Sequence, residues 1–155
     1  MIPQPDEGHE DEEPDLRIAG LSLWARSRQF PNHHDFWDGN WLNVRALAEA
    51  PGARVEVIGP LLRIDELASF AEQLEIVGRE VAGEAELSCI EPNLGLKLSC
   101  NSLGHVEVKV VLTPNQLDQR HMFTFRIDQT YLSPMLTSCR RILDRFPLRA
   151  PPSTT

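Results

Sequence analysis

From Leu16 the chain alternates apolar and polar positions. Ala19, Leu21, Leu23 and Ala25 fall on one side, and Arg26 and Arg28 end the run. A period of two predicts a half-buried strand. A second strand is expected over about 41–49, with Leu42, Val44, Ala46 and Ala48 on one face and Trp41, Asn43, Arg45 and Leu47 on the other. Pro51-Gly52 then turns the chain into ARVEVIGPLL. With those two residues as the turn, Ala48 faces Val55 and Ala46 faces Val57, so the apolar faces match. A Pro-Gly pair suits a type II turn, which leaves a register shifted by two as the alternative.

The period then changes. Leu67, Phe70, Ala71, Leu74, Val77 and Val81 recur at helical spacing, opposite Glu66, Glu72, Gln73 and Arg79. Asp65 is the expected N-cap and Gly83 the exit. Three more alternating runs follow. Ala85, Leu87 and Cys89 face in from the first, Leu94, Leu96, Leu98 and Cys100 from the second, and Val106, Val108, Val110 and Leu112 from the third. Phe123, Phe125 and Ile127 share one face of a fourth. A last apolar stripe, Leu132, Met135, Leu136, Cys139, Ile142, Leu143 and Phe146, is helical, with Pro134 in its first turn, Asp128 or Thr130 as cap and Pro147 as terminator. Clean alternation gives each strand one buried face. The expected fold is therefore α+β, a two-layer sandwich: an antiparallel sheet of about six or seven strands with two helices packed on one face.

Charge adds domain boundaries to this pattern. Residues 1–15 hold seven of the 23 acidic side chains and none of the 15 basic ones, which leaves 16 acidic against 15 basic elsewhere. The acidity belongs to a tail, not to the folded body. Expected limits are a disordered acidic tail at 1–15, one α+β domain at 16–148, and a frayed end at 149–155. A nearly neutral body without a basic stripe argues against nucleic-acid binding. There is no apolar run of membrane-spanning length. The first fifteen residues have neither a basic nor an apolar signal region. Cys89, Cys100 and Cys139 form no CxxC pair and suit a reducing compartment. A cytoplasmic location is expected.

Candidate chemistry concentrates in HHDFWDGNWLNV, residues 33–44, which holds two of the three tryptophans. His33, His34, Asp35 and Asp38 are possible metal ligands. Adjacent histidines rarely serve one ion, and no HExxH frame accompanies them. Asp38-Gly39-Asn40 is strong turn chemistry, and Trp41 opens a strand. The stretch reads first as a structural corner, with Trp37 as a possible anchor for a partner. No serine lies in a GxSxG elbow, and GREVAGE lacks the GKS or GKT of a phosphate loop. No catalytic, cofactor or metal residue is assigned. The candidate partner-binding residues are Trp37, His33, His34 and Asp35.

Three segments, DFWDGNWLNV at 35–44, GHVEVKVVL at 104–112 and FRIDQTYLSPML at 125–136, together resemble the WapI-type family of small bacterial immunity proteins. The resemblance covers about residues 16–148. It implies a cytosolic, non-catalytic antidote to the toxin domain of a polymorphic, contact-dependent system, whose toxins are often nucleases acting on transfer RNA. It carries over no catalytic residue. The family's recurrent positions, here Asp38, Gly39, Asn40, Trp41, Asp128, Gln129, Thr130 and Tyr131, fall at a turn and at the start of a helix, where they suit structural roles as well as binding ones. Two alternatives stay open: an interaction module for another protein, and a metal-dependent enzyme centred on the 33–38 loop.

Overall fold

The architecture was obtained from a computed structural model that describes residues 12–149. Strands β1 (Leu16–Ile18), β2 (Leu21–Arg28), β3 (Trp41–Ala50) and β4 (Ala53–Arg63) form one antiparallel sheet in sequence order. Strands β5 (Gly83–Ser88), β6 (Leu94–Cys100), β7 (His105–Leu112) and β8 (Met122–Asp128) form another. A one-turn helix α1 (Phe36–Gly39) precedes β3, and α2 (Ile64–Glu80) links the two sheets. A 3-10 turn (Gln129–Tyr131) leads from β8 into α3 (Leu132–Arg145).

The α+β class stands, but the single sheet of six or seven strands with two helices does not: the described residues form two four-stranded sheets and three helices. Alternation shows that a strand has one buried face and does not show which strand lies beside it. Here α2 carries the chain out of the first sheet, and β5 pairs with β6 instead of returning to β4. The first predicted strand is also two strands. Ala19 adopts a left-handed backbone (φ 53°) and breaks the run before Gly20. A Cβ on Gly20 would lie 2.3 Å from the Glu49 carbonyl oxygen and 2.5 Å from the Phe125 ring, so only glycine fits where this turn meets β3 and β8.

The β3–β4 hairpin has the register that matching apolar faces predict, with Ala48 opposite Val55 and Ala46 opposite Val57. Inner residues of both sheets and the apolar stripes of α2 and α3 join one core, with Phe70, Leu98, Val108 and Cys139 wholly buried. The rule of one buried face per strand fails at the centre of the first sheet. Trp24, Arg45 and Leu47 lie on its other face and are buried too. Arg45 sits 4.4 Å from the Trp24 ring centre and pairs with Glu56 at 2.8 Å.

Asp65 does not cap α2. Arg63 holds the cap position two residues earlier, the helix begins at Ile64, and Glu66 accepts a hydrogen bond from the Arg63 backbone N–H at 2.8 Å. Glu66 was expected on the solvent face and is buried. Residues 1–11 and 150–155 of the expected tails lie outside the described residues, and the described parts are bonded to the fold. The Glu12 carbonyl accepts from Trp24 Nε1 at 2.9 Å, and Asp15 accepts from the Ala25 N–H at 2.7 Å and pairs with Arg145. Arg149 donates its N–H to Asn40 at 2.9 Å. No helix among the described residues is long and apolar enough to cross a membrane.

Candidate functional site

The 33–44 stretch folds as a tight corner between β2 and β3. Asp35 caps α1, its carboxylate accepting the Asp38 N–H at 3.0 Å, and that bond holds the carboxyl below its ordinary range. Phe36 and Trp37 meet edge to face at 5.0 Å. A helix of four residues cannot satisfy its own carbonyls, and three arginines take them up along with those of the preceding loop. Arg63, only 2% exposed, donates to the carbonyls of Phe36 (2.9 Å) and Trp37 and through Nε to Asp65 (2.9 Å). Its guanidinium also lies 5.2 Å from the ring centres of both Phe36 and Trp41. Arg28 donates to the Gly39 carbonyl at 2.7 Å, and Arg149 to the Pro31 carbonyl at 2.8 Å and to that of His33.

Asn40 is wholly buried behind α1. Its Nδ2 donates to the Phe36 and Arg149 carbonyls while its Oδ1 accepts the Arg149 N–H, so it clamps the C-terminal segment to the corner. A Cβ on Gly39 would fall 2.4 Å from the His33 carbonyl oxygen. Gly39 and Asn40 are thus fixed by packing, and Trp41, half-buried, by its ring contact with Arg63. Asp128 plays the analogous part at the other recurrent segment, where it accepts both the N–H and the hydroxyl of Thr130. Those bonds hold the Asp128 carboxyl low, the hydroxyl first.

The predicted partner-binding residues divide here. Trp37 remains 64% exposed although its carbonyl is anchored to buried Arg63, so it is an apolar ring on a rigid mount. His33, His34 and Asp35 are exposed around it. His33 Nδ1 lies 3.9 Å from Asp35 and 3.7 Å from Asp38, and ligand atoms of these three lie within 4.8 Å of one another. His34 is not part of that group. Asp35 in this group is at the same time engaged as the cap of α1. Chemically the corner presents an aromatic ring, imidazoles and carboxylates for noncovalent contact.

Sequence reading missed Arg63, Arg28 and Arg149. The one available signal was Arg63 inside the apolar run PLLRI, where a charge demands buried partners. The remaining displaced titratable groups are structural. Burial pushes the Cys139 thiol up to about 12, and the Cys89 thiol also upward, which makes both unsuited to nucleophilic work.

Among solved structures, the CdiA-CT/CdiI toxin and immunity complex from Enterobacter cloacae is similar at 12% identity and a TM-score of 0.41, over 78% of this chain and 99% of that one. No curated protein matches the chain. The immunity protein WapI-like family model matches residues 15–147, from the Asp15 contact with β2 to the Pro147 that ends α3, and on that match the chain belongs to the WapI-like immunity protein family.

Proposed function

We propose that this chain binds the toxin domain of a contact-dependent or polymorphic bacterial toxin in the cytoplasm and neutralises it without catalysis. The observation that carries this reading is the family match across residues 15–147, which takes in both sheets and all three helices. The corner geometry supports it. An inhibitor that works by binding needs exposed anchors whose positions are fixed before the partner arrives, because ordering them on contact costs affinity. Trp37 on its arginine-bound backbone, with His33, His34 and Asp35 beside it, meets that need. A toxin complex of ordinary size would cover about 800 Å² of this surface.

The test is growth rescue. The C-terminal domain of a large secreted protein, if one is encoded beside this gene, is expressed in a naive host with and without this chain. Rescue specific to that pairing is the expected result. Toxicity that persists with the chain expressed and folded would refute the reading.

A further inference from the structure

An exposed loop keeps one shape only where something outside it fixes its backbone. Residues 30–35 lie between β2 and α1, carry His33, His34 and Asp35, and are all exposed. Their own hydrogen bonds are local. The His33 N–H reaches the Phe30 carbonyl at 3.1 Å, and Asp35 bonds within α1. Among the described residues, one side chain alone brings hydrogen bonds to this loop from elsewhere in the chain. Nη1 of Arg149 donates to the carbonyls of Phe30 (3.5 Å), Pro31 (2.8 Å) and His33 (2.6 Å).

Arg149 can do this because its own backbone is held first. It lies beyond Arg145, the last residue of α3. Arg28 Nη2 donates to the Pro147 carbonyl at 2.5 Å. Asn40 Nδ2 donates to the Arg149 carbonyl at 3.0 Å, and Asn40 Oδ1 accepts the Arg149 N–H at 2.9 Å. Asn40 itself is wholly buried, so the segment is docked by both ends of a fixed side-chain amide. From that dock the guanidinium reaches out to the loop.

The rest of the molecule does not depend on this contact. No side chain of residues 147–149 belongs to the core. Helix α1 has separate supports, Arg63 on the Phe36 and Trp37 carbonyls and Arg28 on that of Gly39. The corner therefore has two mounts. Arg63 holds the backbone under the Trp37 ring, and Arg149 holds the loop that carries the two imidazoles.

We propose that residues 147–149 are a latch on the toxin-binding corner, with Arg149 as the positioning residue that keeps the loop of His33, His34 and Asp35 in its binding shape. This rests on the immunity reading and names what holds that surface ready. With the latch closed, the loop meets its partner already ordered. With the latch open, the loop is ordered on contact, which costs affinity. A loop that keeps its bound shape about a tenth of the time binds about tenfold more weakly. Trp37 keeps its mount in either case, because its carbonyl belongs to Arg63.

The test uses the full chain and its Arg149→Ala variant, first alone and then with the toxin domain of the rescue assay. In the free variant, NMR order parameters at Asn32, His33 and His34 are expected to fall below about 0.6, while Trp37, Asp38 and Gly39 stay in the rigid range. Toxin affinity, read by calorimetry, is expected to weaken about tenfold. In a chain already carrying His33→Ala and His34→Ala, the same Arg149→Ala change should cost less than about threefold, since the loop has little left to present. A loop that stays rigid, or an affinity within about twofold of wild type, would overturn the inference. So would the full tenfold loss in the chain without imidazoles, which would mean that Arg149 touches the toxin itself. An Arg149→Ala chain that does not fold would make the segment part of the fold and overturn the latch equally. Failure of the wild type to bind the toxin at all would remove the immunity reading and this inference with it. Wild-type binding that ignores Arg149 would remove only the inference.

Discussion

Arg63 decides whether the corner exists. A buried guanidinium is costly unless its donors are used, and here Nε, Nη1 and Nη2 all are, on Asp65, Trp37 and Phe36. Lysine has the charge without the planar fork. Arg63→Lys should therefore lower unfolding free energy by about 1.5–3 kcal/mol in urea titration, the worth of one charged hydrogen bond left unmade. Trp37→Ala, at an exposed ring, should shift stability by less than about 0.5 kcal/mol. Equal losses in both variants would contradict the division between mount and anchor. Asp35 adds a dependence on pH. Its carboxyl is held below the ordinary 3.8, first by the Asp38 N–H, so its contribution is present above that value and fades as pH falls through the lower folded one. Asp35→Ala should accordingly lose part of the wild type's decline in urea midpoint below about pH 4. The corner itself was legible, because Asp-Gly-Asn is local turn chemistry. The arginines were not, since Arg63 serves carbonyls 26 and 27 residues earlier in the chain.

Among elements, the β3–β4 hairpin was legible down to its register, because Pro51-Gly52 and the facing apolar residues supply both constraints locally. The split at Ala19 was not, since alternation continues through a residue that leaves the strand. Neither was the start of α2, where Asp65 is the better cap by type. Glu66 does that work instead, and its other oxygen accepts the Ile90 N–H at 2.7 Å, tying the helix to the β5–β6 loop. Burial outweighs these bonds and raises the Glu66 carboxyl above its ordinary 4.5. The sign is then opposite to that of Asp35. The contribution of Glu66 is fully present below about pH 4.5 and declines as pH rises through the folded value. Glu66→Ala strands two backbone N–H groups and should cost about 1–3 kcal/mol. The gap from wild type should narrow from pH 4 upward. A gap that widens with pH would mean that the two N–H bonds, and not burial, govern this carboxyl.

For the whole molecule, the acidic excess is gathered at one end of the sequence. Seven carboxylates lie at 1–15. Asp15 is bonded to the Ala25 N–H and to Arg145, and the Glu12 carbonyl to the Trp24 indole, so residues 12–15 serve the fold. Residues 1–11 hold Asp6, Glu7, Glu10 and Asp11 with no lysine or arginine. Charge placed away from a packed contact changes how fast partners meet more than how slowly they part. Under the proposed function, removing residues 1–11 should therefore slow association with a toxin domain of net positive charge at low salt and leave dissociation nearly unchanged, and the difference should vanish as the screening length falls below about 8 Å. Removing 1–15 should add a loss of stability that the shorter deletion lacks, because the Trp24 and Arg145 contacts go with it. Stopped-flow association at two salt concentrations, paired with urea titration of both truncated chains, separates the effects. Equal on-rates for the full chain and the 1–11 deletion at low salt would show that the acidic segment does not steer, and the approach of the toxin would then fall to the neutral body alone.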